Sequence, residues 1–152
     1  MAACGVLPRS RCCQMASSLR ADTVDTPAIT VAAAVIERDD AFLMTRRLAG
    51  THLAGCWEFP GGKVHEGESL EMCLAREVAE ELGCTARVGP LIISSTHYYP
   101  ERTVTLHFFA CAFADELSPQ DGQEMRWVPR PELRRLELPA ADQLLVDLLT
   151  RE

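Results

Sequence analysis

The sequence predicts an α/β sandwich, in which one sheet of short strands packs against two main helices. Three observations support this fold class. Apolar runs rich in β-branched residues, beginning with 29–36, are separated by turn-forming segments. Two segments, 69–82 and 140–149, have apolar residues at helical spacing instead. The 152 residues, 47% of them hydrophobic and 24% charged, are enough for one domain with a substantial core.

The strands are expected where these apolar runs occur. Residues 29–36 and 41–46 predict a hairpin, because the polar segment 37–40 between them is typical of a turn. The following segment, 47–67, is rich in glycine and predicts a loop. Three more strands are predicted later in the chain, at 87–96, 103–113 and 124–128.

Local signals define the two helices. Ser69 is a suitable N-cap and Gly83 a natural stop for the helix over 69–82. The last helix, over 140–149, is expected to bury a stripe of four leucines. These are Leu144, Leu145, Leu148 and Leu149.

The N-terminal segment and the cysteines indicate a cytoplasmic protein. Residues 1–27 lack the apolar segment of a secretory signal and are expected to be a disordered extension of a single domain over 28–152. A transit peptide is the alternative interpretation. The seven cysteines are odd in number and form no C-x-x-C pair, so we interpret them as buried thiols in a reducing compartment. No apolar stretch has the ~18 residues of a membrane helix.

The charge balance excludes some partners. The net charge is −7, and Lys63 is the single lysine beside fourteen arginines. Such a chain lacks the basic surface that nucleic acid polymers and anionic membranes require. The segment from Glu66 to Glu81 has six acidic residues and one base, Arg76, and so contributes −5 of the total. A phosphate-bearing partner therefore needs a metal ion or a few placed arginines.

The helix over 69–82 has acidic residues on its apolar side. On a helical wheel, Glu77, Glu80 and Glu81 share an arc with the apolar stripe. Carboxylates buried side by side are unfavourable unless cations neutralise them, and this spacing suits a hard divalent ion such as Mg²⁺. Gly61 and Gly62, just upstream, allow the backbone to approach this patch. The sequence thus predicts a carboxylate metal site; the alternative is a solvated face.

The spacing around this helix resembles the Nudix box. After Gly62 come five residues and Glu68, seven residues and Arg76-Glu77-Val78, one residue and Glu80-Glu81, then one residue and Gly83-Cys84. Cys84 stands where the family usually has an aliphatic residue. The segment 57–63, Trp-Glu-Phe-Pro-Gly-Gly-Lys, is similar to the lead-in of the MutT-like branch. The resemblance implies a Nudix-type α/β/α sandwich with a mixed β-sheet.

The resemblance also implies catalytic and metal-binding roles. The metal ligands would be the Gly61 carbonyl, Glu77, Glu80, Glu81 and Asp121. The ion would be Mg²⁺, with Mn²⁺ as an alternative, and Glu124 competes with Asp121 for its place. Glu68 and Arg76 would pair and hold the loop against the helix. One metal-site glutamate would also activate the attacking water, and the sequence leaves open which one.

A further set of residues is expected to contact a nucleotide. They are Arg46, Arg47, His52, Glu58, Phe59, Lys63, Tyr99, Arg102 and Asp142. Lys63 and either Arg46 or Arg47 would contact phosphate oxygens, for which arginine offers bidentate geometry. Phe59 and Tyr99 would form the walls around the base.

Asp142 bears on the choice of substrate. It lies where MutT-like relatives have an Asn or Asp that reads the base; the alternative role is a helix N-cap. The leading prediction is a Mg²⁺-dependent (deoxy)nucleoside triphosphate pyrophosphohydrolase that sanitises the nucleotide pool, with 8-oxo-dGTP as the favoured substrate. A CTP or dCTP pyrophosphohydrolase is the alternative, because an ionised Asp142 also suits the amine of cytosine. A catalytically inactive nucleotide-binding module is the third hypothesis. The partner is a small nucleotide in each case, and monomer and homodimer both stay open.

Overall fold

A mixed β-sheet with a helix on each face forms the protein. The computed structural model describes residues 26–120 and 122–151. Its strands are β1 (Ala28–Arg38), β2 (Ala41–Arg46), β3 (Trp57–Glu58), β4 (Gly61–Lys63), β5 (Ala86–Tyr98), β6 (Thr103–Phe113) and β7 (Met125–Pro129). Its α-helices are α1 (Leu70–Leu82) and α2 (Gln143–Leu149), and 3₁₀ turns cover Arg130–Arg135 and Ala140–Asp142.

The central strand is β1. The sheet has the order β3-β2-β1-β6-β5, while β4 also pairs with β1 and β7 with β2. Strand β1 is antiparallel to β2 and β4 but parallel to β6, so the sheet is mixed, as predicted. The predicted hairpin between β1 and β2 closes through Asp39 and Asp40, whose φ angles of 51° and 60° are typical of a tight hairpin turn.

Both faces of β1 are buried, which explains its continuous apolar run. Ala32, Ala34 and Ile36 belong to the hydrophobic cluster under α1. Ala33 and Val35 belong to the second cluster, which lies under α2. Because side chains alternate along a strand, β1 serves both cores at once and fixes the three layers of the sandwich.

The first helix has the predicted ends. The Ser69 hydroxyl accepts a hydrogen bond from the Met72 N–H at 3.1 Å. Gly83 ends the helix with a φ of 61°, and its N–H donates to the Ala79 carbonyl. These caps fix where α1 begins and therefore which of its side chains face the sheet.

The prediction for the last helix was wrong in part. The segment begins with a 3₁₀ turn, and α2 spans only Gln143–Leu149. Leu145 and Val146 are fully buried, whereas Leu144 and Leu148 are 44% and 37% exposed. A 3₁₀ turn has three residues per turn rather than 3.6, so it rotates the buried face away from the predicted stripe.

Parts of the sequence predictions fall outside the described residues. Of the predicted extension 1–27, residues 1–25 lie outside the described part of the chain. Pro27 is described, and its carbonyl accepts a hydrogen bond from the Thr103 N–H at 2.9 Å. The four described cysteines are free thiols; Cys56, Cys73 and Cys84 are buried, as predicted, whereas Cys111 is only partly buried. In the same part of the chain, no helix is long and apolar enough to cross a bilayer.

Candidate active site

A cavity of about 440 Å³ opens between α1, β4 and the 3₁₀ turn that precedes α2. It brings together twelve of the residues that the sequence singled out. They are Arg47, His52, Glu58, Phe59, Gly61, Lys63, Glu77, Glu80, Glu81, Tyr99, Arg102 and Asp142. The cavity has an acidic end, formed by α1 and β4, and an aromatic end, formed around Tyr99 and Asp142.

At the acidic end, β4 approaches its neighbours too closely for a side chain at Gly61 or Gly62. A Cβ at Gly61 would lie 2.1 Å from the Ala32 carbonyl oxygen. A Cβ at Gly62 would lie 2.2 Å from Cδ of Glu77. The two glycines therefore allow the backbone to reach the carboxylates of α1, as the sequence predicted.

The carboxylates of α1 differ in their exposure. The Glu77 side chain is 15% exposed and that of Glu80 is 60% exposed, so Glu80 lies at the rim, farther out than the helical wheel predicted. Burial, with help from Glu58 and Glu77, raises the pKa of Glu81 to about 8, although a hydrogen bond from the Gly61 backbone opposes this. Oε2 of Glu81 is buried and has no hydrogen-bond partner among the described residues.

Arg76 connects the loop before α1 to the helix itself. Its guanidinium donates to both carboxylate oxygens of Glu68, at 2.8 and 2.9 Å, which is the predicted pair. It also donates to Glu77 at 2.7 Å and to the Lys63 carbonyl at 3.1 Å. The hydrogen bonds from Arg76 lower the pKa of Glu68 to about 2. Neither Glu68 nor Arg76 lines the cavity; they hold in place the residues that do.

The acidic end fits a divalent cation. Its donors are oxygens, which Mg²⁺ and Mn²⁺ prefer, and the unpartnered Oε2 of Glu81 provides an available ligand. Arg76 bonds to Glu77 and also to Glu80, at 3.4 Å. In the described part of the chain, no three acidic, histidine or cysteine side chains already converge as an ion cage. A cation would therefore compete with Arg76 for these carboxylates.

A chain of contacts forms the aromatic end. Arg47 donates from Nη1 to Glu58 and from Nε to the His52 carbonyl, the latter at 2.6 Å. The His52 ring meets the edge of Tyr99 at 5.4 Å between centroids. The Tyr99 hydroxyl in turn accepts a hydrogen bond from the Ala141 N–H at 3.4 Å. Arg47 thus supports the wall of the cavity and balances the charge of Glu58.

Asp142 is buried in this end of the cavity, with 3% of the residue exposed. Its burial, and secondarily the charge of Glu58, raise its pKa to about 8, although Arg47 opposes the shift. Asp142 precedes α2 at the N-cap position, yet its side chain makes no capping hydrogen bond. The structure therefore does not support the N-cap interpretation, and the base-contacting role stays a prediction. A carboxyl with this pKa is mostly protonated at pH 7 and can donate as well as accept.

Arg46 lies outside the cavity, and its guanidinium is engaged by other residues. Its guanidinium donates to Glu124 at 3.1 Å and to the Gly55 carbonyl at 3.0 Å. Neither Arg46 nor Glu124 lines the cavity, whereas Arg47, the residue that directly follows β2, does. Asp121, the predicted late ligand, lies outside the described residues.

The apolar floor of the cavity is formed by residues that the sequence motifs do not single out. It consists of alternate residues of two neighbouring strands, Ile29, Val31 and Ala33 on β1 and Val104 and Leu106 on β6. Their period of two was a usable signal once these segments were assigned as strands. Gln120 and Gln123 also line the cavity from the loop before β7, and no sequence pattern singled them out.

Comparisons with known proteins agree with this geometry. The NUDIX domain family model matches residues 31–148. The CTP pyrophosphohydrolase of Escherichia coli K12 is 38% identical over 120 residues, which cover 78% of this chain and 89% of the relative. An 8-oxo-dGTP diphosphatase of Haemophilus influenzae is 34% identical over 131 residues, which cover 85% and 96%.

Solved structures show the same similarity. The MutT protein from Methanosarcina mazei Go1 is 28% identical, with a TM-score of 0.75 over 84% of this chain and 96% of the other. The ORF135 protein of E. coli is 36% identical, with a TM-score of 0.69 over 82% and 88%. Nudix hydrolases generally use divalent cations. This chain belongs to the Nudix family, in its MutT-like branch, and is a hydrolase that acts on phosphoric anhydrides.

Proposed function

We propose that this protein hydrolyses nucleoside triphosphates between the α and β phosphorus atoms and releases a nucleoside monophosphate and pyrophosphate. The observation that supports this most directly is the cavity itself. One end has three carboxylates of α1, and the other has an aromatic wall and the buried carboxyl of Asp142. A metal-chelated phosphate chain fits the first end and a base fits the second.

The acidic end would hold the cation through Glu77, Glu80, Glu81 and the Gly61 carbonyl, with Asp121 as a further proposed ligand. A bound Mg²⁺ would offset the charge of the phosphates and lower the pKa of a water molecule. Lys63 and Arg102 also line the cavity and would donate to phosphate oxygens. Arg76 orients Glu77 through their 2.7 Å hydrogen bond, so that this carboxylate is held toward β4.

Asp142 is suited to more than one base. When protonated, its hydroxyl can donate to guanine O6 while its carbonyl oxygen accepts from N1–H. The same group can donate to N3 of cytosine and accept from its exocyclic amine. We propose 8-oxo-dGTP as the favoured substrate, in a role of sanitising the nucleotide pool. The 38% identity to a CTP pyrophosphohydrolase supports cytidine triphosphates as the second candidate.

The test is a substrate panel with product identification. The panel contains 8-oxo-dGTP, dGTP, CTP, dCTP and 5-methyl-dCTP, each with Mg²⁺ and with EDTA. We expect Mg²⁺-dependent release of pyrophosphate, with 8-oxo-dGTP giving the highest kcat/KM. Release of orthophosphate, or full turnover in EDTA, would refute the mechanism. A higher kcat/KM for dCTP would replace the favoured substrate with the second candidate.

A variant pair tests the acidic end. Glu80→Gln removes one proposed ligand charge, and Glu124→Gln removes an acidic charge outside the cavity. We expect Glu80→Gln to lower kcat/KM by at least about tenfold, which is the cost of losing roughly 1.4 kcal/mol of transition-state stabilisation. Glu124→Gln should stay close to the wild type. Equal activity of both variants would exclude Glu80 from the metal site.

A further inference from the structure

Strand β4 offers one edge to β1 and the other to α1. The Pro60 carbonyl accepts from the Ala34 N–H at 2.7 Å, and the Val64 N–H donates to the Thr30 carbonyl at 2.9 Å. Backbone groups alternate between the two edges of a strand in an antiparallel ladder. The even-numbered residues of this segment therefore bond to β1. Its odd-numbered residues direct their backbone groups toward α1.

This second edge, the α1-facing edge of β4, consists of the backbone groups of Gly61 and Lys63. The Gly61 backbone hydrogen-bonds to the Glu81 carboxylate, and the Gly61 carbonyl is a proposed ligand of the cation. The Lys63 carbonyl accepts from Nη2 of Arg76 at 3.1 Å and lies 3.4 Å from Sγ of Cys73. The orientation of the proposed ligand is thus set on the same edge that Cys73 and Arg76 contact.

Cys73 is completely buried beneath this edge. On this edge its Sγ lies 3.4 Å from the Lys63 carbonyl oxygen, and it also lies 3.5 Å from the carbonyl oxygen of Gly62, a residue of the β1-facing edge. The sulfur accepts a hydrogen bond from Nη2 of Arg76 at 3.8 Å, and the Glu68 carboxylate is a further hydrogen-bond partner of the thiol. Burial is the main reason that the pKa of its thiol is raised to about 11, so the sulfur keeps its proton and acts as a donor. Neither Gly61 nor Gly62 has a side chain, so neither can restrain β4 by packing.

We propose that Cys73 is a positioning residue for cation binding, because its thiol holds the α1-facing edge of β4 in the orientation that the Gly61 carbonyl needs. This inference rests on the proposed metal-dependent function. Cys73 touches neither substrate nor ion and acts through the backbone of β4. If the thiol is removed, the hydrogen bond from Arg76 is the one contact to the Lys63 carbonyl that remains among those of the described residues.

The test compares two cysteines of the same hydrophobic cluster. Cys73→Ala and Cys84→Ala each delete one buried sulfur there, but Cys84 makes no described contact with β4. Binding of Mn²⁺ to the full-length protein without nucleotide is measured from the loss of the free-ion EPR signal. We expect Cys73→Ala to raise the dissociation constant about three- to tenfold, which corresponds to the net value of one hydrogen bond. Cys84→Ala should leave it unchanged.

Cys73→Ser separates positioning from packing. A hydroxyl can donate to the same carbonyls after a small shift, so we expect Mn²⁺ affinity between those of the wild type and Cys73→Ala. A purely packing role predicts that serine is no better than alanine, because it places a polar group in an apolar site. That result, or equal affinities of Cys73→Ala and Cys84→Ala, would overturn the inference. If the wild type binds no Mn²⁺ and hydrolyses no triphosphate, the proposed function itself fails instead.

Discussion

Replacement of Asp142 by asparagine is expected to reduce the pH dependence of stability between pH 5 and pH 8. The Asp142 carboxyl is buried, and its pKa in the folded protein is about 8, against an ordinary value of 3.8. Between these values the folded protein binds one proton that the unfolded chain has lost. The free energy of unfolding therefore falls as the pH rises through this window.

The expected size follows from the number of protons. One proton that is bound only in the folded state changes the free energy of unfolding by about 1.4 kcal/mol per pH unit. Glu81, whose pKa is also raised to about 8, contributes a fall of the same sign over the same range. The amide of the Asp142→Asn variant would stay neutral at all these pH values. The slope of the variant should therefore be smaller than that of the wild type by up to about 1.4 kcal/mol per unit.

The free energy of unfolding is measured by urea titration at pH 5, 6, 7 and 8 for the wild type and for Asp142→Asn, which gives its slope against pH for each. EDTA is present so that no cation binds Glu81. Glu124→Gln is the matched control, because its carboxyl is 57% exposed and paired only at the surface with Arg46. The control should follow the wild type. Parallel lines for the wild type and Asp142→Asn would show that Asp142 is already ionised in the folded protein. They would also contradict the dual donor and acceptor role in base binding.

Two further substitutions test the packing of the site and of the scaffold. Gly62→Ala places a Cβ 2.2 Å from Cδ of Glu77. Steady-state assays should therefore show kcat/KM lowered by at least about tenfold. Unchanged kinetics would show that β4 can move away from Glu77. Arg130→Ala should lower the free energy of unfolding by about 1–3 kcal/mol in urea titrations without changing kcat/KM. Arg130 bonds to Asp40 at 2.6 Å and to the Leu149 carbonyl at 2.8 Å, so a loss under about 0.5 kcal/mol would be evidence against this role.

The acidic end could be predicted because its geometry is local. Glu77 and Glu81 are one helical turn apart, and the caps at Ser69 and Gly83 fix the helix that holds them. β4 ends at Lys63 and α1 begins at Leu70, so a short loop is enough to bring β4 against α1. Spacing along the chain and distance in space are nearly equivalent here, and a sequence pattern can therefore report the site.

The two adjacent arginines show where such reasoning fails. Arg46 and Arg47 have the same chemistry, and the sequence cannot tell which one faces the cavity. The decision depends on Glu124, which lies 78 residues from Arg46 and forms an ion pair with it. Glu58 binds Arg47 on the other face. Long-range pairing of β2 with β3 and β7 therefore selects the role of each arginine, and no local pattern contains that information.

Glu58 links the two ends of the cavity through its charge. It raises the pKa of Glu81 at the acidic end and that of Asp142 at the aromatic end. Arg47 opposes both shifts and donates a hydrogen bond to Glu58. Because the pair is less than one third exposed, solvent screens these effects only in part. The Arg47–Glu58 pair therefore adjusts the proton affinity of a proposed metal ligand and of the proposed base-reading group together.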